Sequence, residues 1–155
     1  VKHSSGIMVW VCFGARGRGG LTFLRKGERV NSQRYINILE EKLIQFMTLL
    51  GCEIFQQDNA PCHTAKLVRA WFNSKNINVL EWPGNSPDIN PIENLWQQIK
   101  IKLANINITS DQQLKAEITK IWCMETTEES CRKLVESMPR RLEAVIKNNG
   151  YPTKY

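Results

Sequence analysis

A strand–helix–strand pattern over residues 53–81 sets the fold class that this sequence predicts. Residues 53–57 form a short apolar strand, an apolar stripe with helical spacing covers 64–73, and a second apolar run occupies 77–80. Two strands joined through a helix pair in parallel with a right-handed crossover. A chain of 155 residues is also long enough to bury a core of its own. We therefore expect an α/β fold.

The sequence before this unit predicts an antiparallel hairpin. Two runs rich in β-forming residues, 7–13 and 21–24, flank a basic segment that contains four of the nine glycines. A glycine-rich phosphate-binding loop is the alternative interpretation of this segment. That loop requires a GKS or GKT ending and a following helix, and neither is present, so a flexible turn is favoured.

Helices account for the remainder of the chain. Apart from the 64–73 helix, the predicted helices begin at or near capping residues, which are Ser32, Asn90, Thr109 or Ser110, and Thr126. The first helix ends near Leu50 before Gly51, and Pro139 breaks the last one into two pieces. The resulting order of elements predicts a mixed sheet flanked by helices. Because a domain has about 150 residues, we expect residues 1–155 to form a single domain.

Positive charge is concentrated at the start of the chain. Residues 1–34 contain seven Lys or Arg and one Glu, whereas residues 35–155 contain fourteen charges of each sign, so the first segment carries the whole net charge of +6. Such a basic stretch is typical of a surface that binds nucleic acid, and a solvated surface is the alternative. The candidate DNA contacts in this stretch and near the end of the chain are Arg16, Arg18, Arg25, Lys26, Arg29, Arg140, Arg141 and Lys147.

Composition argues against several other classes of protein. The 42% hydrophobic and 23% charged residues are ordinary for a globular chain, and no apolar run approaches the roughly 18–20 residues of a membrane span. The five cysteines are odd in number and irregularly spaced, which predicts reduced thiols in an intracellular protein. Cys62 and His63 are adjacent, but a zinc site needs two further ligands, so we interpret this pair as incidental.

Two acids stand where a metal-dependent site could form. Asp58 follows the 53–57 strand, and ligands of α/β proteins bind at the carboxyl ends of strands, although aspartate also commonly closes a strand with a turn. Glu93 falls in the first turn of the helix that begins at Asn90, where an acid also stabilises the helix dipole. The two prolines of 86–91 fix this helix start rigidly, as the strict coordination geometry of Mg²⁺ requires.

The segments around these two acids resemble the signature blocks of mariner-like transposases. Residues 55–65 read FQQDNAPCHTA, and residues 82–96 read WPGNSPDINPIENLW. Thirty-four residues separate Asp58 from Glu93, which is the spacing associated with the Tc branch of that superfamily. Shorter similarities extend the resemblance over nearly the whole chain, at residues 8–10, 35–39, 137–142 and 150–155.

This resemblance implies a ribonuclease-H-like catalytic domain of the DDE endonuclease superfamily, with an Asp-Asp-Glu site for two Mg²⁺ or Mn²⁺ ions. Asp58 would be the second acid and Glu93 the third. In the family the first Asp, the first strand and a paired-helix DNA-binding region lie upstream. We therefore expect residues 1–155 to be a partial domain that lacks the first strand, binds metal poorly and cleaves little or no DNA. The full-length protein would act in the nucleus, as a homodimer, on transposon ends and target DNA.

Other interpretations stay open at this point. One alternative is a non-enzymatic DNA- or protein-binding module derived from a transposable element, and another is a metal-independent structural protein with the same fold. Asp88 is a reserve carboxylate, although a turn residue before the helix explains it better. If Asp58 and Glu93 lie close together, the repulsion between them should raise the pKa of one.

Overall fold

The computed structural model of the chain describes residues 6–81, 89–151 and 153. Its contacts divide the chain into two compact units. These are the hairpin unit, residues 1–26 and 86–155, and the central unit, residues 27–85. The described strands make one antiparallel pair in the hairpin unit and one parallel pair in the central unit. The predicted single domain over 1–155 stays a prediction.

The predicted hairpin is formed by β1 (Val9–Gly14) and β2 (Gly17–Phe23). Pairing continues to the last residue of β1 and the first of β2, so the turn takes up only the two residues between them. Gly19 and Gly20 therefore lie within β2 and not in a wide flexible turn. The pairing register shifts between Val11 and Phe13, so Gly19 and Gly20 together lie opposite the single residue Cys12 and form a β-bulge.

Helices complete the hairpin unit. In chain order, those in the described residues are α5 (Ile92–Ala104), α6 (Asp111–Lys120), a π-helical turn (Ile121–Glu125), α7 (Glu128–Glu136) and α8 (Met138–Lys147). Ser110 caps α6 and Thr127 caps α7, each hydroxyl accepting a hydrogen bond from an amide three residues on. These starts lie within one residue of the predicted ones. The predicted break before α8 is also confirmed, with Pro139 in its first turn.

The core of the hairpin unit lies between the hairpin and the helices α5 and α6. Its buried members are Val11, Leu95, Ile99, Ile118, Ile121 and Trp122. Helix α5 buries one side in this core, because Leu95 and Ile99 belong to it and the neighbouring apolar residues of α5 pack against it. The indole N–H of Trp122 donates a hydrogen bond to the carbonyl of Gly19 at 3.0 Å. This bond ties the bulge of β2 to the π-helical turn after α6.

One continuous helical segment opens the central unit. It consists of α1 (Ser32–Ile38), a π-helical turn (Leu39–Leu43) and α2 (Ile44–Leu50). The cap is Asn31 and not the predicted Ser32, because the side-chain oxygen of Asn31 accepts a 2.8 Å hydrogen bond from the amide of Arg34. The predicted end is confirmed, with Gly51 in the left-handed conformation at φ 61°.

The predicted strand–helix–strand unit follows in the same part of the chain. Its elements are β3 (Ile54–Phe55), α3 (Pro61–Thr64), α4 (Lys66–Ser74) and β4 (Asn78–Val79). The strands pair in parallel, as predicted, but each is only two residues long. Helix α4 buries Val68, Trp71 and Phe72. Leu67 belongs to the apolar residues predicted to form a stripe over 64–73, but its side chain is 52% exposed, because it lies roughly 90° from the centre of the buried stripe.

Neither cross-links nor membrane-spanning helices contribute to the described structure. All five cysteines are free thiols, and those at positions 12 and 131 are buried. Within the residues that the structure describes, no helix combines the length and the hydrophobicity needed to cross a membrane.

Candidate active site

Asp58 lies in the segment that follows β3, at the carboxyl end of that strand. Its side chain is 60% exposed. The Oδ1 atom accepts a hydrogen bond from the amide of Ala60 at 3.1 Å, which closes a tight turn before α3. The same oxygen lies 2.5 Å from Nδ1 of His63, a residue of α3. Asp58 therefore does close a turn, as the conservative interpretation of the sequence proposed, and both of these contacts use Oδ1.

His63 is itself held from two sides. Its ring stacks on Tyr35 of α1, with the ring centroids 3.9 Å apart and the planes inclined by 28°. Its carbonyl accepts a 3.2 Å hydrogen bond from Nε2 of Gln57, and Oε1 of Gln57 accepts a 2.6 Å hydrogen bond from the hydroxyl of Tyr35. Tyr35 is 1% exposed. The segment that carries Asp58 is thus anchored to the buried surface of α1.

The hydrogen bond from His63 lowers the pKa of Asp58 below the usual range of an aspartate. Partial burial opposes this effect, while the amide of Ala60 and the charge of a protonated His63 add to it. A raised pKa is expected for one of the two acids only if Asp58 and Glu93 lie close together, and the pKa of Asp58 is lowered. The carboxylate is therefore ionised at neutral pH, as a metal ligand must be.

The role of His63 was missed in the sequence, where we interpreted the residue as incidental. A signal was nevertheless available. His63 follows Asp58 by five residues, and Pro61 between them is a residue that favours the first turn of a helix. A helical turn that starts so soon after a strand brings its side chains back toward the end of that strand, which is where Asp58 lies.

Glu93 lies in the first turn of α5, as predicted, and its side chain is exposed. The next residue, Asn94, accepts a 2.8 Å hydrogen bond on its side-chain oxygen from Nη2 of Arg141. Nε of Arg141 donates to the hydroxyl of Ser137 at 2.7 Å. Helix α8 therefore fixes the start of α5, which carries Glu93, through a buried guanidinium.

This arrangement corrects one of the predicted DNA contacts. Arg141 is only 3% exposed, and its guanidinium is hydrogen-bonded within the hairpin unit, so it is not available to a phosphate. The exposed candidates are Arg16, Arg18, Arg25, Lys26, Arg29, Arg140 and Lys147. Within the hairpin unit, Arg18 donates to the carbonyl of Thr126 at 3.2 Å, and Lys26 lies 3.6 Å from Asp111.

Arg16 and Arg18 line an open groove of about 580 Å³ in the hairpin unit. Glycines of β2 form one wall of this groove, and Trp122 and Glu128 contribute to its lining. The wall places backbone atoms and two guanidinium groups within reach of a ligand on the same surface. Positive charge beside accessible backbone is suited to a phosphate chain, and the carboxylate of Glu128 partly offsets this charge.

Asp58 belongs to the central unit and Glu93 to the hairpin unit, so their convergence on one site stays a prediction. In the described parts of the chain, no three His, Cys, Asp or Glu side chains form a cluster that could hold a metal ion. The reserve carboxylate Asp88 lies outside the described residues. The donor chemistry of Asp58 and Glu93 nevertheless fits a hard divalent cation, because both are exposed carboxylates.

Comparison with known proteins places the chain in a family. Residues 2–115 match the family model described as DDE superfamily endonuclease. The chain is 39% identical to the transposase of the transposable element Tcb1 of Caenorhabditis briggsae and 37% identical to that of Tc1 of Caenorhabditis elegans. Each alignment covers 100% of this chain and 57% of the relative, so the chain spans little more than half the length of these relatives.

Solved structures of the Mos1 mariner transposase are also similar. Its paired end complex with Mn gives a TM-score of 0.85 at 27% identity, covering 96% of this chain and 45% of the other. Its catalytic domain with Raltegravir and Mg gives a TM-score of 0.82 at 27% identity, covering 96% and 77%. Both the family match and the fold agree with the resemblance of the signature blocks. The chain therefore belongs to the DDE superfamily endonucleases, as a Tc1/mariner transposase catalytic domain with a ribonuclease-H-like α/β fold.

Proposed function

We propose that this chain supplies the metal-dependent DNA cleavage and strand-transfer site of a cut-and-paste transposase. The observation that carries the proposal is Asp58, an ionised and exposed carboxylate held in a fixed orientation at the carboxyl end of β3. Membership of the DDE superfamily endonucleases supports the assignment. So do the matching Mos1 structures, whose names record Mn, Mg and a paired end complex.

Asp58 and Glu93 are the residues that would hold the divalent ions. Two such ions, when bound, activate an attacking water and stabilise the leaving oxygen of a phosphodiester. Asp58 contributes an oxygen that is charged before any ion binds, because its pKa is lowered. Glu93 projects from a helix start that Asn94 and Arg141 hold in place, so the position of its backbone is fixed. Mg²⁺ and Mn²⁺ suit both groups because they prefer hard oxygen ligands.

We infer that the 155 residues on their own bind divalent ions weakly and cleave little or no DNA. Two carboxylates supply few of the ligands of a two-ion site, and the described residues contain no cluster of three candidate ligands. DNA is the proposed substrate, contacted by the exposed basic candidates Arg16, Arg18, Arg25, Lys26, Arg29, Arg140 and Lys147. The remaining proposals are a homodimeric full-length protein and a nuclear location.

Isothermal titration of the 155-residue chain with Mn²⁺ tests this proposal. We expect weak binding that Asp58→Asn and Glu93→Gln each reduce further. Glu53→Gln is the matched control, because it removes an exposed acid close to Asp58 in sequence, and it should leave the titration unchanged. Tight binding of two ions would contradict the inference of weak binding. Weak binding that is insensitive to both Asp58→Asn and Glu93→Gln would contradict the assignment of the ligands.

A non-enzymatic DNA-binding module is the second candidate, favoured by the arginine-lined groove of the hairpin unit. The two functions differ in what the acids do. A DNA-binding module keeps its affinity for DNA when Asp58 or Glu93 is replaced, with or without Mg²⁺. If the acids form the proposed endonuclease site, adding Mg²⁺ changes the affinity of the chain for DNA. Replacing Asp58 or Glu93 abolishes that change.

A further inference from the structure

Asp58 closes the turn after β3 and is proposed to bind a metal ion, and neither of these roles requires its contact with His63. Closing the turn after β3 requires only the amide of Ala60, and binding an ion requires only a free carboxylate oxygen. We propose that His63 is a positioning residue, which fixes the plane of the Asp58 carboxylate so that Oδ2 faces the metal. This inference rests on the proposed function, since it presupposes that Asp58 is a metal ligand.

Two groups contact Oδ1 of Asp58. The amide of Ala60 approaches this oxygen at 3.1 Å and Nδ1 of His63 at 2.5 Å. A carboxylate that is held at one oxygen by two groups from different positions has little freedom to rotate about its Cβ–Cγ bond. Its second oxygen is then confined to one direction before an ion arrives. Metal sites gain affinity from such hydrogen bonds to the ligating carboxylate.

The imidazole of His63 is itself immobilised. The side chain of His63 is 19% exposed, and its ring lies against Tyr35. Gln57 accepts a hydrogen bond from the hydroxyl of Tyr35 and donates one to the carbonyl of His63. The ring and the backbone of His63 are therefore both linked to the same buried tyrosine. A side chain that served only as a surface contact for Asp58 would not need this support.

A purely structural role for His63 makes a different prediction. If the ring only stabilises the short helix α3 by stacking on Tyr35, any flat ring at this position should preserve every property of the chain. If the Nδ1 contact orients Asp58, a flat ring that lacks the nitrogen should fold normally and still lose metal affinity. The two variants His63→Phe and His63→Asn separate these roles. Phenylalanine keeps the stacked ring, whereas asparagine keeps a nitrogen donor near the position of Nδ1.

The experiment is a titration of the ¹⁵N-labelled 155-residue chain with Mn²⁺, followed by paramagnetic broadening of the amide signals near Asp58. We expect His63→Phe to weaken Mn²⁺ binding about tenfold while the chain remains folded, since losing an outer-shell partner typically costs 10–100-fold in metal affinity. His63→Asn should recover most of this loss. Cys62→Ala, a change at the adjacent residue of α3, is the matched control and should bind like the wild type.

The experiment distinguishes failure of the positioning role of His63 from failure of the proposed function. Asp58→Asn is included to test the function itself, and broadening that survives this change would overturn the assignment of Asp58 as a ligand. If Asp58→Asn abolishes the broadening while His63→Phe binds Mn²⁺ like the wild type, the positioning role is wrong and the metal site stands. Weak binding by His63→Asn together with normal binding by His63→Phe would assign His63 a stacking role and also overturn the proposal.

Discussion

At the scale of single residues, Asp58 reconciles two functions that the sequence set against each other. A turn-closing aspartate and a metal-binding aspartate are compatible when each function uses a different oxygen. Here the amide of Ala60 and the ring of His63 both contact Oδ1. The opposite side of the carboxylate can then serve a ligand. The structural role therefore supports the proposed catalytic role, because the turn holds the acid still.

The lowered pKa of Asp58 predicts a specific dependence of stability on pH. The folded pKa lies below that of an unfolded aspartate, about 3.9, so the ionised carboxylate stabilises the fold above that value. The contribution disappears as the pH falls through the folded pKa. We expect Asp58→Asn to lower the urea midpoint at neutral pH, and this difference from the wild type to shrink below about pH 4.

Circular dichroism during urea unfolding at a series of pH values measures this effect. Glu53→Gln is the control, since it removes the same charge near β3. The difference in urea midpoint between this variant and the wild type should not change as the pH passes through the pKa of Asp58. A gap between wild type and Asp58→Asn that stays constant from neutral to acidic pH would show that ionisation of Asp58 does not stabilise the fold.

At the scale of elements, the sequence predicted the helices and the parallel pair well, because apolar spacing is a local signal. The cap of α5 was predicted wrongly, since the cap is Pro91 and not Asn90, and no side chain makes a capping hydrogen bond there. It predicted strand length poorly. The apolar residues of 53–57 and 77–80 suggested full strands, but only Ile54–Phe55 and Asn78–Val79 are paired. Pairing depends on a partner at a distance in the chain, and an apolar run alone does not specify how far that partner extends.

Arg141 shows the same limit at a point where two elements meet. Two arginines in succession, Arg140 and Arg141, are equally basic, and we predicted both to contact DNA. Helical geometry separates them, because Arg141 is four residues after Ser137 and shares its buried face. The helical spacing was visible in the sequence. What the sequence did not contain was the partner, since Asn94 lies 47 positions away.

The adjacent arginines provide a matched test of the contact between α8 and α5. Arg141→Ala removes a buried guanidinium and its bonds to Ser137 and Asn94, so we expect it to lower the free energy of unfolding by about 3 kcal/mol. Arg140→Ala changes an exposed side chain and should stay within about 0.5 kcal/mol of the wild type. Urea unfolding of both variants measures the difference. Equal effects would mean that the buried hydrogen bonds of Arg141 do not hold α5 to α8.

At the scale of the whole molecule, long sequence motifs carried the family assignment, and local geometry carried the site. The signature blocks at 55–65 and 82–96 identified the superfamily because each contains many residues in the same order as the signature blocks of that superfamily. They did not reveal that His63, inside the first block, contacts Asp58. Such a contact depends on how Tyr35, 22 positions before Gln57, closes the network around that segment. Motif order is a linear property, whereas the support of a ligand is a three-dimensional one.

Binding to DNA depends on charge, because DNA is a polyelectrolyte with condensed counterions. Each phosphate contact releases counterions, so the logarithm of the affinity falls with the logarithm of the salt concentration. If Arg16 and Arg18 contact phosphates in their groove, replacing both by alanine should reduce the magnitude of that slope by about 2. The affinity should fall to a similar extent for DNA of any sequence, because phosphate contacts read no bases.

A control with the same loss of charge distinguishes a contact from a general effect of net charge. Lys102 and Lys133 lie in the same unit and pair with Glu125 and Glu129, so their replacement by alanine removes two positive charges from outside the groove. Fluorescence anisotropy with a labelled duplex at several salt concentrations measures both slopes. We expect the control slope to stay near that of the wild type. If the two double variants change the slope equally, net charge and not the groove governs binding, and the assignment of Arg16 and Arg18 fails.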